Sequence, residues 1–286
     1  MGEPTARGGF GDEMERFYRV FPWEEDRDFF KRRVEEGRRL FEDLLGHEWL
    51  SPLQGMGEVR ILDVMGGTGI GGASLALALL GRGVEARVTV LDVRASALEL
   101  ARRYSRELLE LDVTTVRARV EEFAGVVDCP FDAIVMYGHS SPHLDPYQFV
   151  QAAANMAACL SGGGVVILEE GDRVYEVCYA RGYRHVLPEE AGEERLVVSY
   201  HAGYDPYRGV FKRLTVDHYA GESALANLRL WDIAGLAGIL WAFFRDVDFS
   251  PLEGATRGFI LARSPRAVDP TEYSQIPRIA LKRVRS

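Results

Sequence analysis

The sequence predicts an α/β protein with a largely parallel central sheet and helices on both of its faces. Between residues 58 and 170, short apolar runs typical of strands alternate with longer runs that have helical periodicity. The first strand-like run ends at Asp63 and leads through the turn Gly66-Gly67-Thr68-Gly69 into a helix-like run. A strand, a glycine turn and a helix in this order bring backbone N–H groups close to a ligand.

The elements of the core follow one another regularly. The predicted strands lie at residues 59–64, 87–92, 114–120, 131–137 and 164–169, and the predicted helices lie at about 70–81, 95–110 and 146–161. Repeated alternation of this kind gives a parallel sheet, and ligands bind at the carboxyl ends of its strands. Residues 51–170 are therefore predicted to form the ligand-binding core.

Residues 1–50 are predicted to form a helical cap in front of this core. Apolar side chains recur there at helical spacing, at Met14, Phe17, Tyr18, Phe21, Phe30, Val34, Phe41, Leu44 and Leu45. Two roles remain open for the aromatic residues between Phe17 and Trp23. They pack on the sheet, or they cover the ligand.

Residues 171–227 break the alternation. Two strands, at residues 197–200 and 211–216, are joined by a turn at 205–209. This pattern predicts an antiparallel insertion after the fifth strand, placed over the ligand site.

The core resumes at residues 228–265. A helix is predicted at 228–240, with strands at 245–249 and 257–263. Residues 266–286 form a basic tail, which we expect to be a solvated terminus.

Composition and charge limit the classes of partner. The chain of 286 residues has a formal net charge of −9, which disfavours a nucleic acid or an anionic membrane as partner. The longest apolar run, residues 233–244, is too short to span a bilayer. Cys129, Cys159 and Cys178 lie far apart without a CxxC pair, so we expect neither a zinc site nor a disulfide, and a cytoplasmic protein.

The glycine turn alone is compatible with three ligands. A nucleotide-binding P-loop requires a lysine where this chain has Ala73, which excludes that class. A dinucleotide remains open, because Gly67, Gly69 and Gly72 fit the GxGxxG spacing and Asp92 ends the second strand, where a ribose-binding acid is expected. The sequence has no Tyr-x-x-x-Lys pair to support short-chain dehydrogenase chemistry.

The third ligand is S-adenosylmethionine, which further motifs indicate. Residues 61–69 (ILDVMGGTG) resemble motif I of the class I S-adenosylmethionine-dependent methyltransferases, and residues 90–93 resemble their second-strand acidic motif. Residues 116–123 resemble the segment that flanks adenine, and residues 131–135 with 160–168 resemble strands four and five. The resemblance implies a Rossmann-like seven-stranded mixed sheet with an antiparallel last strand, S-adenosylmethionine as cofactor, and no metal.

The resemblance also implies which residues contact the cofactor. They are Asp63, Met65, Gly66, Gly67, Thr68, Gly69, Asp92, Val93, Arg119, Val120, Glu121 and Tyr137. Asp92 would accept hydrogen bonds from the ribose hydroxyls, and Asp63 would face the ammonium group of the amino-acid tail.

Two of these positions depart from the family pattern. Met65 occupies the first glycine position of motif I, where it either narrows the approach to the tail or moves the tight turn to Gly66. Arg119 stands where an acid often approaches the adenine amino group, so Glu121, Glu122 or backbone groups would have to accept that hydrogen bond.

Residues 137–144 (YGHSSPHL) resemble a segment of glycine N-methyltransferase-like enzymes, a small-molecule branch of the family. We expect a small-molecule acceptor, methylated at an amine or a hydroxyl. His139 and His143 follow the fourth strand and are the candidate catalytic residues. A base is needed only where the acceptor must first lose a proton, so orientation and exclusion of water are expected to supply most of the catalysis. The candidate substrate contacts are Tyr18, His139, Tyr200 and Tyr204.

Three other functions remain open at this stage. The same fold could methylate RNA or protein, the chain could be an NAD(P)-binding oxidoreductase, or it could bind S-adenosylmethionine without catalysis. The Asp/Asn-Pro-Pro-Tyr signature of DNA amino-methylation does not follow the fourth strand. A homo-oligomer is compatible with the sequence.

Overall fold

The computed structural model describes residues 10–21, 26–252, 254 and 256–282. Trp23 and the last four residues of the basic tail lie outside these residues. The helices are α1 (Phe10–Val20), α2 (Arg27–Leu44), α3 (Ile70–Leu80), α4 (Ala95–Leu109), α5 (Pro146–Cys159) and α6 (Ile233–Phe243). The strands are β1 (Glu58–Val64), β2 (Glu85–Asp92), β3 (Val113–Arg117), β4 (Phe131–Met136), β5 (Leu160–Gly171), β6 (Val186–Ala191), β7 (Leu196–Asp205), β8 (Val210–Asp217), β9 (Glu222–Leu228), β10 (Phe244–Pro251) and β11 (Arg257–Pro265).

The central sheet contains seven strands in the order β10-β11-β5-β4-β1-β2-β3. Strands β1 to β5 are parallel to one another, whereas β11 is antiparallel to both β5 and β10. The predicted seven-stranded mixed sheet with an antiparallel last strand is therefore confirmed. The strand order reverses between β1 and β4, which is where sheets of this class bind their ligands.

Helices cover both faces of the central sheet, as the alternation predicts. Val59 and Ile61 of β1 pack in the apolar cluster that includes α2, α3 and α4, and Leu62 and Val64 pack in the cluster that includes α5 and α6. All four side chains are fully buried. Burial on both faces holds β1 firmly and so fixes the position of the glycine turn that follows it.

A second sheet of four antiparallel strands, β6-β7-β8-β9, follows β5. The two strands predicted for the insertion correspond to β7 and β8, whereas β6 and β9 are additional. The helix predicted from residue 228 begins instead at Ile233, because Leu228 is the last residue of β9 and pairs with Phe211.

Helix α1 connects the insertion to the core. Its last residue, Val20, packs in a buried cluster with Val197 of β7 and Ala224 of β9. On the core side, Glu15 accepts hydrogen bonds from the backbone N–H and the hydroxyl of Ser96 at the start of α4, at 3.2 and 2.6 Å. Helix α1 is therefore held by the insertion on one side and by α4 on the other, which fixes the side chains that it directs at the site.

The expectation that the cysteines form no disulfide is wrong. Cys129 and Cys159 are bonded, with their Cα atoms 5.0 Å apart, and Cys178 is free and exposed. Cys129 precedes β4 and Cys159 directly precedes β5, and these two strands are neighbours in the sheet. Strand pairing, which sequence spacing does not reveal, brings the two thiols together.

None of the helices in the described part of the chain is long and apolar enough to cross a membrane. The same residues contain no group of three or more His, Cys, Asp or Glu side chains that could hold a metal ion.

Candidate functional site

The turn between β1 and α3 is tight, and it keeps its left-handed residue at the position of Met65. Met65 has a φ of 54°, and Gly67 and Gly69 follow with φ of 55° and 82°. The left-handed residue of the turn is therefore Met65 itself and not Gly66, so the turn has not moved along the chain. A β-carbon on Gly66 would lie 2.6 Å from Cγ of Asp63, so only glycine fits there.

Asp63 lies beneath this turn with no exposed surface. Its Oδ2 accepts a hydrogen bond of 2.7 Å from the backbone N–H of Gly72. Its Oδ1 has no hydrogen-bond partner among the described residues, and neither has the buried hydroxyl of Thr68. Burial raises the pKa of Asp63 to about 7. Oδ1 of Asp63 and the hydroxyl of Thr68 therefore lack a hydrogen-bond partner, and a ligand could supply one.

Asp92, at the end of β2, is held by backbone and side-chain donors. Its Oδ2 accepts from the N–H of Gly67 at 2.9 Å, and its Oδ1 accepts from the N–H of Arg94 at 2.9 Å. The Nε of Arg94 lies 3.3 Å from the same Oδ1. Asp92 is 6% exposed and Arg94 is 4% exposed, so this ion pair is buried.

Two cavities meet at this edge of the sheet. The larger has a volume of about 410 Å³ and is lined by Tyr18, Phe29, Arg33, Met65, Gly66, Gly67, Thr68, Ile70, Gly71, Arg94, Tyr137, Gly138 and Ser140. The smaller has a volume of about 40 Å³ and is lined by Met14, Tyr18, Met65, Leu91, Asp92, Val93, Arg94, Ala118, Val120, Glu121, Ser140, His143 and Leu144. They share the walls formed by Tyr18, Met65, Arg94 and Ser140.

Most of the predicted cofactor residues line one of these cavities, and three do not. Asp63 lies beneath the turn with no exposed surface. Gly69 packs the turn against β2, because a β-carbon there would lie 3.0 Å from Cγ2 of Val90. Arg119 is directed to Glu121 with a separation of 2.5 Å, and it lines a third, polar cavity of about 350 Å³. Glu121 also accepts from Gln148 at 2.8 Å. Arg119 therefore reaches the small cavity through Glu121.

His139 follows β4 in a left-handed conformation, with a φ of 59°. Its Nδ1 lies 3.1 Å from Oε1 of Glu170, a fully buried residue of β5. Glu170 also accepts from the hydroxyl of Ser141, from the N–H of Gly171 at 2.9 Å and from Nε of Arg173 at 3.1 Å. Burial alone would raise the pKa of Glu170, but the hydrogen bond from His139 and the charge of Arg173 bring it below its ordinary value.

A second buried glutamate supports the same loop. Glu169 accepts from the N–H of Gly138 at 2.9 Å and from Nη2 of Arg257 at 2.5 Å. Its Oε1 lies 3.8 Å from Nε2 of His139. Since Gly138 and Ser140 line the larger cavity, these glutamates fix His139 at its margin.

His143 lies between the small cavity and the polar cavity. The ring of Phe17 from α1 contacts it edge-on, with centroids 5.5 Å apart. Burial, together with the charges of Arg94 and Arg173, lowers the pKa of His143 to about 4. This histidine is therefore neutral at physiological pH.

The structure brings only part of the predicted substrate set together. Tyr18 lines both the larger and the smaller cavity, and His139 lies beside the larger one. The hydroxyl of Tyr200 is bonded to His218 at 2.9 Å, and Tyr204 is 44% exposed and packs on Phe211. Neither of these two tyrosines lines the three cavities, and their contact with a substrate stays a prediction.

Sequence reasoning missed two cations and one carboxylate of the site. Phe29 and Arg33 are four residues apart on α2, so they share one helix face, and that spacing was a usable signal. Arg94 carried no such signal, because its burial depends on α1. The role of Glu170 depends on the pairing of β4 with β5.

Comparison with known proteins identifies the fold of this site. A family model described as a methyltransferase domain matches residues 61–164. An S-adenosylmethionine-dependent methyltransferase from Clostridium acetobutylicum ATCC 824 has 13% identity and a TM-score of 0.61, over 80% of this chain and 92% of that one. The PH0226 protein from Pyrococcus horikoshii OT3 has 17% identity and a TM-score of 0.59, over 87% of this chain and 98% of that one.

The CcbJ methyltransferase from Streptomyces caelestis has 15% identity and a TM-score of 0.56, over 81% of this chain and 90% of that one. A search of the curated proteins finds no match. At such low identities the structural similarities show a common fold, whereas the family model identifies the domain that runs from β1 into β5. Residues 61–164 therefore match a methyltransferase domain, and the chain shares the fold of known S-adenosylmethionine-dependent methyltransferases.

Proposed function

We propose that the protein transfers a methyl group from S-adenosylmethionine to an amine or a hydroxyl of a small molecule. The larger cavity supports this most directly, because the glycine turn forms one wall and the β4 loop forms another. A volume of about 410 Å³ suits a small ligand, and ligand sites of this size are typical of small-molecule enzymes. The net charge of −9 gives no support to an RNA acceptor.

The residues of the groove fit the cofactor from end to end. The partnerless Oδ1 of Asp63 suits the ammonium of the tail, and Arg33 is the cation on α2 that suits the tail carboxylate. Asp92 suits the ribose hydroxyls, and Val120 and Glu121 line the cavity that suits adenine. When bound, the cofactor supplies a methyl group on a positively charged sulfur.

His139 is the better of the two candidate bases. Its Nδ1 is oriented by Glu170, and its Nε2, which lies 3.8 Å from Oε1 of Glu169, is the nitrogen that we assign to accept a proton from an acceptor ammonium or hydroxyl. His143, with a pKa of about 4, is a weak base near pH 7, and we assign it to orienting the acceptor or the adenine. Tyr18 and Phe29 provide aromatic walls of the larger cavity, which we expect to limit the access of water once the ligands are bound.

Two finer points are also proposals. The likeness of residues 137–144 to glycine N-methyltransferase-like enzymes suggests an amine acceptor. A cytoplasmic location is retained on the sequence grounds given above, and in such a reducing compartment the Cys129–Cys159 bond would be open. The alternatives of an RNA or protein acceptor, an oxidoreductase and a binding protein without catalysis are decided by experiment.

The acceptor class can be tested with S-adenosylmethionine carrying a tritiated methyl group. The purified protein is incubated with separate low-mass, RNA and protein fractions of a cell extract. We expect label in a low-mass product only. Label confined to RNA or protein would contradict the proposed acceptor, and no label in any fraction despite cofactor binding would favour a binding protein.

Cofactor binding can be tested with a matched pair of glycine variants. Gly66→Ala places a β-carbon 2.6 Å from Asp63, whereas a β-carbon on Gly57 meets no atom within 4 Å. Calorimetry should show S-adenosylhomocysteine binding to the wild type and to Gly57→Ala, and a large loss of binding in Gly66→Ala. Binding of NAD(H) without S-adenosylhomocysteine would point to the oxidoreductase instead.

A further inference from the structure

Arg94 is engaged with Asp92, the acid that we assign to the ribose. Its backbone N–H and its Nε both approach Oδ1 of Asp92, at 2.9 and 3.3 Å, and Gly67 donates to Oδ2. Both side chains of the pair are almost fully buried. The acid expected to bind the cofactor is therefore already engaged by a cation of the same loop.

The number of hydrogen bonds that Asp92 can accept indicates that Arg94 and a ribose would compete for it. A carboxylate offers about four lone-pair sites. Two backbone donors take one site each, and the guanidinium of Arg94, with its Nε 3.3 Å from Oδ1, covers a third. A ribose diol brings two hydroxyl donors, but only one lone-pair site of Asp92 is left for them. The backbone donors of Gly67 and Arg94 are fixed by the turn, which leaves the guanidinium as the donor that can leave.

The guanidinium is also stacked on an aromatic ring. Its central carbon lies 3.7 Å from the ring centroid of Tyr18, a close cation–π contact. Arg94 and Tyr18 are both part of the wall between the two cavities, together with Met65. In this arrangement the wall separates the cavity that suits adenine from the cavity that suits the amino-acid tail.

We propose that Arg94 is an internal competitor of the cofactor at Asp92 and that Tyr18 holds it in the competing position. The inference rests on the cofactor assignment made above. The groove is continuous only when the guanidinium has left Asp92, so the cofactor binds a minor state of the free protein. The measured affinity is then reduced by the fraction of molecules in which Arg94 has moved away.

The first test compares two variants by their affinity for S-adenosylhomocysteine. Arg94→Met keeps an apolar stem and removes the guanidinium. Arg117→Met is the matched control, because Arg117 is paired with Asp92 in the β2–β3 register but is exposed and donates to the carbonyl of Val93. We expect Arg94→Met to bind roughly tenfold more tightly than the wild type, and Arg117→Met to bind equally well.

The second test measures binding rates and needs no change at Arg94. If the guanidinium must leave first, the observed association rate of the wild type should reach a plateau as the S-adenosylhomocysteine concentration rises. Tyr18→Leu removes the ring that holds Arg94 and should raise the plateau, whereas Tyr18→Phe keeps the ring and should leave it unchanged.

The outcomes separate this inference from the cofactor assignment. Equal or weaker binding by folded Arg94→Met, or a wild-type rate that rises linearly without a plateau, overturns the role of Arg94 and leaves the cofactor assignment intact. No binding by the wild type and by all variants overturns both. Binding by Arg94→Met alone supports the competition in its strongest form.

Discussion

At Met65 the chain places a methionine in a backbone conformation that suits glycine, with a φ of 54°. A left-handed conformation costs a residue with a β-carbon about 1–2 kcal/mol. The side chain also forms part of the wall between the two cavities. Met65 therefore adopts an unfavourable backbone conformation while its side chain lies between the two cavities.

Two truncations at this position separate backbone strain from packing. Met65→Ala and Met65→Gly both remove the side-chain contacts, but only glycine relieves the strain. After allowance for the greater chain entropy of glycine, we expect Met65→Gly to be more stable than Met65→Ala by about 0.5–1 kcal/mol. Urea unfolding with equal slopes would measure this, and equal midpoints would show that residue 65 is not strained.

Asp63 should make stability depend on pH in an unusual direction. Its pKa is about 7 in the folded protein, against an ordinary value of 3.8. Between these values the folded state keeps a proton that the unfolded state has lost. The stabilisation is thus complete below about pH 4 and is lost as the pH rises through 7, by roughly 4 kcal/mol in all.

The Asp63→Asn variant lacks this titration and provides the reference. The unfolding free energy of the wild type, relative to that of Asp63→Asn, should fall between pH 4 and pH 7.5. A carbon NMR titration of the Asp63 carboxyl group, with an inflection near pH 7, would give independent support. A difference that stays constant with pH would contradict the raised pKa.

At the scale of elements, the carboxyl ends of β4 and β5 act as one unit. Glu169 and Glu170 of β5 hold Gly138 and His139 of the β4 loop, and Arg173 and Arg257 balance the two buried charges. Buried carboxylates are tolerated when they are paired and hydrogen-bonded in this way. The loop is consequently fixed against the larger cavity.

The two histidines of this loop should differ in their effect on turnover. Asparagine tolerates the left-handed conformation of His139, so His139→Asn should fold. We expect it to slow methyl transfer by about 10²-fold or more while leaving S-adenosylhomocysteine affinity unchanged. His143→Asn should slow transfer less. Equal effects of the two variants on the tritium-transfer rate would contradict the assignment of His139 as the base.

The disulfide joins the start of β4 to the end of α5, far from the carboxyl ends that form the site. It closes a loop over a sequence separation of 30 residues, for which chain-entropy arguments give about 3–4 kcal/mol. Reduction should therefore lower the unfolding free energy by that order and leave cofactor affinity unchanged. Cys178→Ser, which removes the exposed free thiol, is the control and should respond to reduction as the wild type does.

For the molecule as a whole, the parallel core was predictable and the insertion only in part. Strands of the core carry apolar side chains that are buried on both faces, as Val59, Ile61, Leu62 and Val64 of β1 show, and such strands are clear in sequence. Strand β6 contains Pro188 and two glutamates, and β9 is rich in alanine, so neither has a strand-like pattern of its own. They become strands because β7 and β8 offer them edges.

The candidate site likewise contains residues that could be predicted from the sequence and residues that could not. The glycine turn and Asp92 lie in motifs whose spacing is fixed within one β-α unit, so their positions could be predicted. Arg94, Glu170 and the Cys129–Cys159 bond depend on contacts between elements distant in sequence. Residue spacing holds no information on such contacts.

Helix α1 has a consequence for anyone who redesigns this protein. Val20 rests on the insertion, Glu15 is bonded to α4, and Tyr18 between them forms a wall of the cofactor groove. An insertion exchanged to alter acceptor choice would therefore shift Tyr18 as well. We therefore expect acceptor preference and cofactor affinity to be coupled through α1, and an engineered hybrid would have to carry α1 and β9 together.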